Sequence, residues 1–305
     1  MHVNWNFIEA CGAGNLQLAQ TLFNMGVDIN EDDYRAARRA SGNGHLPIIQ
    51  WMHKVGLDAQ GCDHAFSTSC SFGHIEIARW LLEIGVNIEA QKSGLLYACD
   101  SGHLELAQYL HETGIETDFD RAMSCAAAHG HLNIVQWLFG IGIVSGIDLA
   151  LGRASSWGHY NVIEWLLETG ADIRAHNNLA LSMACQNGRL DVAQWLFNKG
   201  AEPQEDMIDA VMQTIHETES CHGDLDWLAE QCEEVILWLK SILRRLDLDS
   251  YVTDKSEVSP QICPICYEEL QLKVVKLPCS HQFDIDCIVL WVKEQSNCPV
   301  CRRII

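Results

Sequence analysis

Basic side chains are scarce in this sequence, which has 20 Lys and Arg against 41 Asp and Glu and a formal net charge of −21. A field of that sign repels a phosphate backbone, so the composition argues against nucleic acid as a partner. The 305 residues, of which 48% are hydrophobic, suffice for one long array or about two ordinary domains. That hydrophobic fraction is typical of a folded protein and too high for a disordered one.

Signals for export and for membrane insertion are also missing. The first residues, Met1 to Asn6, include neither a basic nor an apolar stretch, so we expect no secretory signal. Residues 122–147 lack Asp, Glu, Lys and Arg, but they coincide with one period of the repeat described below, so buried helices explain them better than a bilayer. Fourteen cysteines without an export signal favour a reducing compartment. We therefore expect a cytoplasmic protein with no membrane partner, with the nucleus as a further location.

One short pattern recurs through most of the chain: a Gly, then His, Asn or Arg, then an apolar residue. It returns at intervals of 28 to 30 residues. These turn glycines are Gly14, Gly44, Gly73, Gly102, Gly130, Gly158 and Gly188. Such even spacing predicts a repeat architecture in which each unit buries its apolar faces by stacking on its neighbours.

Each unit is predicted to be a pair of helices joined at the turn glycine. Two small residues stand four and three positions before that glycine, as in Ala98 and Cys99, where they let neighbouring helices approach closely. The glycine ends the first helix and permits a tight turn. The second helix has an apolar stripe, as in residues 132–139, and a further Gly leads into the next unit.

Two side-chain types recur at fixed places after the turn glycine. A His directly after it is predicted to make a structural hydrogen bond, in preference to metal or proton chemistry. An aromatic residue seven positions after it is predicted to pack between stacked helices, in preference to lining a binding groove. The histidines are His45, His74, His103, His131 and His159, and the aromatics are Trp51, Trp80, Tyr109, Trp137, Trp165 and Trp195.

At these residues the sequence resembles the ankyrin repeat, as in GHLELAQYLHETGIE (102–116) and GRLDVAQWLFNKGAEP (188–203). The resemblance implies a mostly α fold, a helical solenoid of about seven repeats over residues 1–203. The period is shorter than the family's usual length of about 33 residues, and the family's Thr-Pro-Leu-His opening is missing, so we expect short connecting loops. The array is also similar to those of large amoeba-infecting viruses, and a viral origin would place the protein in the host cytoplasm.

The period breaks after the array. Residues 204–247 remain helical in pattern and are predicted to be a divergent capping repeat, with a dimerising helix as the alternative. Residues 248–261 are polar and are predicted to be a linker.

Residues 262–305 hold six cysteines and one histidine at metal-ligand spacing. The order is Cys263-x2-Cys266-x12-Cys279-x-His281-x5-Cys287-x10-Cys298-x2-Cys301. Cys-x-x-Cys pairs around a Cys-x-His pair are typical of structural zinc, because a two-residue gap lets one turn present two sulfurs to one ion. Seven ligands are one short of two tetrahedral sites, and Asp284 stands where the eighth is expected.

This segment resembles the RING finger, a small α+β zinc-bound domain, in CPIC (263–266), LPCSHQFDIDCIVLW (277–291) and CPVCRR (298–303). The resemblance implies two structural zinc ions in interleaved sites. One would be bound by Cys263, Cys266, Asp284 and Cys287, and the other by Cys279, His281, Cys298 and Cys301. The family usually has Cys or His in place of Asp284. A carboxylate oxygen is a competent zinc ligand, and a first site completed by water is the alternative.

The resemblance also implies an activity, that of a RING-type E3 ubiquitin-protein ligase without a covalent catalytic residue. Such a domain docks a ubiquitin-conjugating enzyme loaded with ubiquitin and holds the thioester in a reactive pose, while the ankyrin array would recruit a protein substrate. The docking surface would comprise Ile265, Leu290, Trp291, Pro299, Val300 and Arg302. The rival hypothesis is a non-enzymatic scaffold or adaptor with a structural zinc module. Net charge alone favours a basic substrate.

Overall fold

The structure is a computed structural model of the chain. It describes residues 2–204, 206–220, 231–239, 252–254, 262–266, 273–277, 281–284, 287–288, 290–291, 298–300 and 302. The chain divides into two compact units, Met1–Asp172 and Ile173–Ile305. As the repeat and the cysteine spacing predict, the fold is a mostly helical repeat array followed by a small region of strands with a cysteine cluster.

Unit 1 consists of helix pairs in which the turn glycine separates the two helices. The first helices are α1 (His2–Gly12), α3 (Glu31–Gly42), α5 (Ala59–Ser71), α7 (Ile88–Asp100), α9 (Phe119–Ala128) and α11 (Ile147–Trp157). The second helices are α2 (Leu16–Phe23), α4 (Leu46–Val55), α6 (Ile75–Ile84), α8 (Leu104–Glu112), α10 (Leu132–Gly140) and α12 (Tyr160–Glu168). Unit 2 continues with α13 (Ala175–Gln186), α14 (Leu190–Asn198), α15 (Asp206–Ser220) and α16 at residues 231–239.

Consecutive first helices of unit 1 pack side by side, and the small residues lie at their contacts. Ala98 and Cys99 are fully buried, as are Ala126 and Ala127 of the next first helix. Burial raises the pKa of the Cys11, Cys99 and Cys185 thiols to about 12. These cysteines are therefore packing residues with no nucleophilic role at neutral pH.

The repeated histidines make the structural hydrogen bond that the sequence predicts. In each of the five, Nε2 lies 2.8 to 3.1 Å from a backbone carbonyl at the end of the first helix of the previous repeat, as in His131 to Asp100. Since a carbonyl only accepts, Nε2 donates. Each histidine thereby satisfies one of the carbonyls that a helix end leaves without an intrahelical partner.

The repeated aromatic residues form a ladder between second helices. Four of the six contact a ring of the preceding repeat edge to face, as in Trp137 on His111 at 5.7 Å and Trp165 on Phe139 at 5.3 Å between centroids. Trp51 on Phe23 and Trp80 on His53 follow the same rule. The predicted packing role is confirmed for these residues, since such pairs add to the stability gained from burial alone.

A second set of inter-repeat hydrogen bonds lies at the connecting loops. A carboxylate early in one first helix accepts a bond from the backbone N–H 24 residues later: Asp63 from Asn87 at 3.0 Å and Asp148 from Asp172 at 2.8 Å. In unit 2, the amide oxygen of Asn178 accepts from Glu202 at 2.9 Å. These side chains fix the short loops that the sequence predicts.

Two first helices begin with a left-handed turn. Asp32, Asp33 and Tyr34 of α3 have φ between 54° and 56°, and His176, Asn177 and Asn178 of α13 have φ between 49° and 62°. Residues other than glycine are strained in this region.

The helices after the last repeat lie in the segment predicted to cap the array. In α16, Cys232, Val235 and Leu239 are buried. The Cys232 thiol lies 3.6 Å from the Gln186 carbonyl, and Trp238 contacts Phe197 edge to face at 5.9 Å. This helix therefore packs on the last helix pair.

The remaining described residues form a three-stranded antiparallel sheet in the order β1 (Val252–Asp254), β2 (Lys273–Lys276) and β3 (Gln282–Asp284). Val275 pairs with Val252 on one side and with Phe283 on the other. β1 falls within residues 248–261, so part of the predicted linker adds a strand to this sheet.

Residues 122–147, which lack charged side chains, lie largely in helices α9 and α10, and many of them are buried, as expected for core helices. Across the ranges that the structure describes, no helix combines the length and the apolar character needed to cross a bilayer.

Candidate metal centre

The sheet and a small apolar core hold the candidate ligands of the C-terminal segment. The buried members of this core are Cys263, Val274, Val275, Leu277, Phe283, Ile288 and Cys298. Two candidate ligands are thus part of the core itself, which is common in a domain too small to be stable without a metal.

The hairpin of β2 and β3 brings together candidate metal ligands that are far apart in the sequence. Asp284 ends β3 opposite Val274, and it is buried, with 7% of its surface exposed. The Cys263–Cys266 turn lies beside it, with the Cys266 sulfur 3.8 Å from a carboxylate oxygen of Asp284. Asp284, which is far from this turn in sequence, therefore faces it in the fold.

One group of potential ligands results from this arrangement. The sulfurs of Cys263, Cys266 and Cys287 and a carboxylate oxygen of Asp284 all lie within 4.8 Å of one another. These are the four residues predicted for the first zinc ion. Three sulfurs and one oxygen on converging side chains match the number and type of ligands that zinc takes in a structural site.

The electrostatics of the cluster favour a cation. Burial would raise the pKa of the Cys263 thiol, but hydrogen bonds to the backbone of Cys266, Asp284 and Ile265 outweigh it and lower the pKa below the ordinary value. Burial and a hydrogen bond with Cys266 raise the pKa of Cys287 to about 12. Three thiolates and a carboxylate cannot all be charged at this spacing without a positive ion, so the donor set fits a divalent metal.

Half of the second candidate site is within the described residues. The Nδ1 atom of His281 lies 3.6 Å from the sulfur of Cys298. The backbone N–H of Leu277 donates to the carbonyl of His281 at 3.0 Å, which positions that histidine at the start of β3. Cys279 and Cys301, the other two predicted ligands, lie outside the described residues.

The residues predicted to dock a conjugating enzyme lie around the same core. Ile265 and Trp291 pack against it while remaining partly exposed, and Pro299 is also partly exposed. Leu290 and Val300 are 64% and 48% exposed. Arg302 is exposed with φ of 63°, and its N–H donates to the Cys298 carbonyl at 2.9 Å.

Sequence reasoning missed two features that support this site. One is β1. Its register with β2 is set by pairing across the sheet, and the short, polar sequence of this segment does not indicate a strand. The other is the set of backbone hydrogen bonds around Cys263, which depends on the turn geometry of Cys263–Cys266. The Cys-x-x-Cys spacing is the only signal in the sequence that points to that turn.

Comparisons with known proteins agree with both parts of the chain. Residues 66–149 and 123–206 match the ankyrin-repeat family. Residues 261–302 match the Ring finger domain, a stretch that contains all eight predicted zinc ligands.

Several curated relatives are E3 ubiquitin-protein ligases by name. RNF126-B of Xenopus laevis is 31% identical over 94 residues, which are 26% of this chain and 30% of that protein. RNF126 of Mus musculus is 43% identical over 54 residues, 17% of each chain. RZF1 of Arabidopsis thaliana is 44% identical over 43 residues, 13% of each.

The matched stretches thus span less than a third of each of these relatives. The likeness is one of domains: this chain consists of ankyrin repeats followed by a C-terminal RING finger that is homologous to those of E3 ubiquitin ligases.

Proposed function

We propose that this chain is a RING-type E3 ubiquitin-protein ligase whose ankyrin array recruits a protein substrate. The observation that carries the proposal is the converging set of Cys263, Cys266, Asp284 and Cys287 within a segment that matches the Ring finger domain. The names of the relatives support it. We place the reaction in the cytoplasm, where thiols stay reduced and free to bind metal.

Two zinc ions are proposed to stabilise the domain. The first is bound by Cys263, Cys266, Asp284 and Cys287, and the second by Cys279, His281, Cys298 and Cys301. The ions would be structural, because four protein ligands fill a tetrahedral site and leave no position for a substrate. Their role is to hold the surrounding backbone rigid.

A ubiquitin-conjugating enzyme is proposed to dock on the apolar residues beside the zinc sites. Leu290 and Val300 are largely exposed apolar side chains on a small domain, and Ile265 and Trp291 fix the surface to the core. Apolar side chains clustered at a surface mark contact sites in proteins. Pro299, next to Cys298, adds a rigid apolar contact.

Arg302 is proposed to contact both the conjugating enzyme and ubiquitin. It directly follows Cys301 and is exposed. Its planar guanidinium has five N–H donors, so a single side chain can donate to acceptors on two proteins.

The proposed reaction transfers ubiquitin from the conjugating enzyme's cysteine to a lysine of the substrate. The lysine amine attacks the thioester carbonyl, the carbon–sulfur bond breaks, and an amide bond forms. The cysteine leaves as a thiolate, and the proton that the amine loses passes to that sulfur or to solvent. This chain supplies no nucleophile to that step. It contributes by holding the thioester in a reactive orientation and by bringing the substrate near, which raises the effective concentration of the attacking amine.

A reconstituted reaction tests this proposal. The purified full chain is mixed with ubiquitin, activating enzyme, ATP and a panel of conjugating enzymes, and ubiquitin chains are followed by gel electrophoresis. We expect chains with at least one conjugating enzyme, and a large loss with Ile265→Ala or Arg302→Ala at unchanged zinc content. No activity and no binding with any conjugating enzyme, in a protein that holds two zinc ions, would instead identify a scaffold.

A further inference from the structure

The first helices of unit 1 have one exposed face that the proposed ligase chemistry does not use. It consists of the residues nine, five and one position before each turn glycine, which share a face because they are four residues apart on a helix. We call it the first-helix face. Its members are Trp5, Glu9, Ala13, Arg35, Arg39, Asn43, His64, Thr68, Phe72, Ser93, Tyr97, Ser101, Arg121, Cys125, His129, Leu149, Arg153 and Trp157, and all are partly or fully exposed.

Arginines outnumber carboxylates at the positions of this face. The first-helix face has four arginines (Arg35, Arg39, Arg121 and Arg153) and one carboxylate, Glu9. Counted whole, the first helices of unit 1 have nine carboxylates and six Lys or Arg, and the second helices have six carboxylates and two Lys or Arg. The arginine excess is therefore a property of these face positions within a chain whose net charge is −21.

The arginines near the start of the array border an open groove. Arg35, Arg38 and Arg39 line a groove of about 540 Å³, and Asp32, Asp33 and the exposed ring of Phe72 line it with them. Arg35 lies over the Trp5 ring, 5.2 Å from its centroid, so a cation and an aromatic face are offered together. All three arginines are in exposed ion pairs, Arg35 with Asp32, Arg38 with Asp33 and Arg39 with Glu9. Such pairs are weak and can exchange for a partner's carboxylates.

The arginines farther along the array are less engaged. Among the described residues, neither Arg121 nor Arg153 is part of an ion pair. Burial and Asp100 raise the pKa of the Cys125 thiol, whereas Arg121 and Arg153 lower it. The guanidinium groups of two neighbouring first helices therefore both lie near Cys125. Asp100 itself is 3.1 Å from Nδ1 of His129.

Large aromatic side chains are interspersed with these cations. Trp5, Phe72, Tyr97 and Trp157 are between 42% and 61% exposed. Exposed aromatics and arginines are the residue types that supply most of the binding energy at protein interfaces. Salt screens charges beyond about 8 Å at physiological strength, so the charges near this face decide which partner fits: its arginines and the carboxylates paired with them.

We propose that the first-helix face binds an acidic polypeptide segment, one in which Asp and Glu alternate with apolar anchor side chains. This reverses the expectation from net charge, which favours a basic partner. Identifying that segment as part of the substrate rests on the proposed ligase function, whereas the binding itself does not.

Fluorescence anisotropy with the full chain tests the proposal. The probe is a fluorescein-labelled peptide in which pairs of Glu are separated by single Leu or Trp residues, and its counterpart has Lys at every Glu position. We expect the Glu peptide to bind with an affinity that falls as salt is raised, and the Lys peptide to bind much more weakly. The Arg121→Glu/Arg153→Glu variant should raise the dissociation constant by about tenfold, the summed effect of several exposed charge contacts.

The matched control is Lys54→Glu/Lys199→Glu, which changes the net charge equally at two exposed positions, one in α4 and one directly after α14. It should leave the Glu peptide's affinity within about twofold. If the reversed arginines prevent folding, Arg121→Gln/Arg153→Gln should still raise the dissociation constant by about threefold. The proposal fails if the Lys peptide binds as well as the Glu peptide, if the control weakens binding as much as the arginine pair, or if neither peptide binds.

The same variants separate this inference from the ligase function. Discharge of ubiquitin from a loaded conjugating enzyme onto free lysine needs no substrate segment, so Arg121→Glu/Arg153→Glu should not change its rate. Normal discharge without peptide binding would refute the acidic partner and leave the ligase intact.

Discussion

His131 lies directly over Gly102 of the preceding repeat, so closely that a Cβ atom on Gly102 would be 2.6 Å from Cε1 of the imidazole. The same imidazole donates to the Asp100 carbonyl. Gly44 with His74, Gly73 with His103 and Gly130 with His159 repeat the relationship. The Gly-His pattern thus has one physical cause: the glycine provides the space into which the next repeat's histidine fits.

Two glycine substitutions separate the backbone requirement from this contact. Gly102 and Gly114 have nearly the same φ, 85° and 83°, but a Cβ on Gly114 would meet nothing within 4 Å. Gly114→Ala should cost about 1–2 kcal/mol of unfolding free energy from the left-handed backbone alone. Gly102→Ala should cost a further 1–3 kcal/mol or so, because the imidazole must move.

Denaturant unfolding of the two variants measures that difference. If Gly102→Ala and Gly114→Ala lose the same stability, the histidine can move aside at no cost in free energy. The backbone φ alone would then explain why glycine recurs at this position. In a chain that already has His131→Ala, adding Gly102→Ala should cost only the backbone part of the loss.

Replacing a strained residue in α13 should stabilise the protein. His176 has φ of 49°, and a left-handed conformation costs a residue other than glycine roughly 1–2 kcal/mol. His176→Gly should therefore raise the unfolding free energy by up to about 1 kcal/mol, the remainder being lost to the greater entropy of the unfolded chain. Ser182→Gly, in the regular part of the same helix, should lower it by about 1 kcal/mol. Thermal unfolding of both variants checks the opposite signs.

Asp284 should be required for the first zinc ion. Removing a group that only orients a ligand already costs about 10–100-fold in metal affinity, so Asp284→Ala should cost more than about 100-fold. Asp284→His should restore tight binding, because imidazole is a good zinc ligand. Competition with a chromophoric chelator measures both affinities. An Asp284→Ala variant with unchanged affinity for two ions would mean that water completes the first site.

Chelation should expose one group of thiols and not another. Burial raises the pKa of Cys11, Cys99 and Cys185 to about 12, so these thiols stay protonated at pH 8. EDTA should therefore make the C-terminal cysteines react with iodoacetamide while these three stay unmodified until the array unfolds. Peptide mapping by mass spectrometry after timed labelling checks this, and early labelling of Cys99 would contradict the buried packing.

Much of this architecture can be predicted from the sequence, because a pattern that is uninformative in one copy becomes significant when it recurs. A single Gly-His pair means little, but copies at regular intervals define the helix ends, the buried small residues and the aromatic ladder. The zinc ligands are readable for a different reason: their number and spacing are constrained by the metal's own geometry. Asp284 could be proposed as the eighth ligand from position alone, and the fold brings its carboxylate within 4.8 Å of three sulfurs.

Features that depend on one particular contact could not be predicted. The left-handed turns at Asp32 and His176 follow no repeated motif, and β1 acquires meaning only through its pairing with β2. The bond from Asn87 to Asp63 joins residues in different repeats whose side chains vary from copy to copy. The arginine excess of the first-helix face could not be predicted from the net charge, because that value sums the charges of all surfaces of the chain.

We propose that the zinc-bound segment 262–305 promotes ubiquitin transfer by docking a loaded conjugating enzyme. Single-turnover discharge of such an enzyme onto free lysine measures this effect, with Ile265→Ala compared against Ile262→Ala, an exposed neighbour outside the proposed docking set. We expect the full chain to accelerate discharge, Ile265→Ala to abolish most of the acceleration, and Ile262→Ala to retain it, all at two zinc ions per chain. If the zinc-loaded chain changed the discharge rate of no conjugating enzyme, the segment would not be a ligase domain.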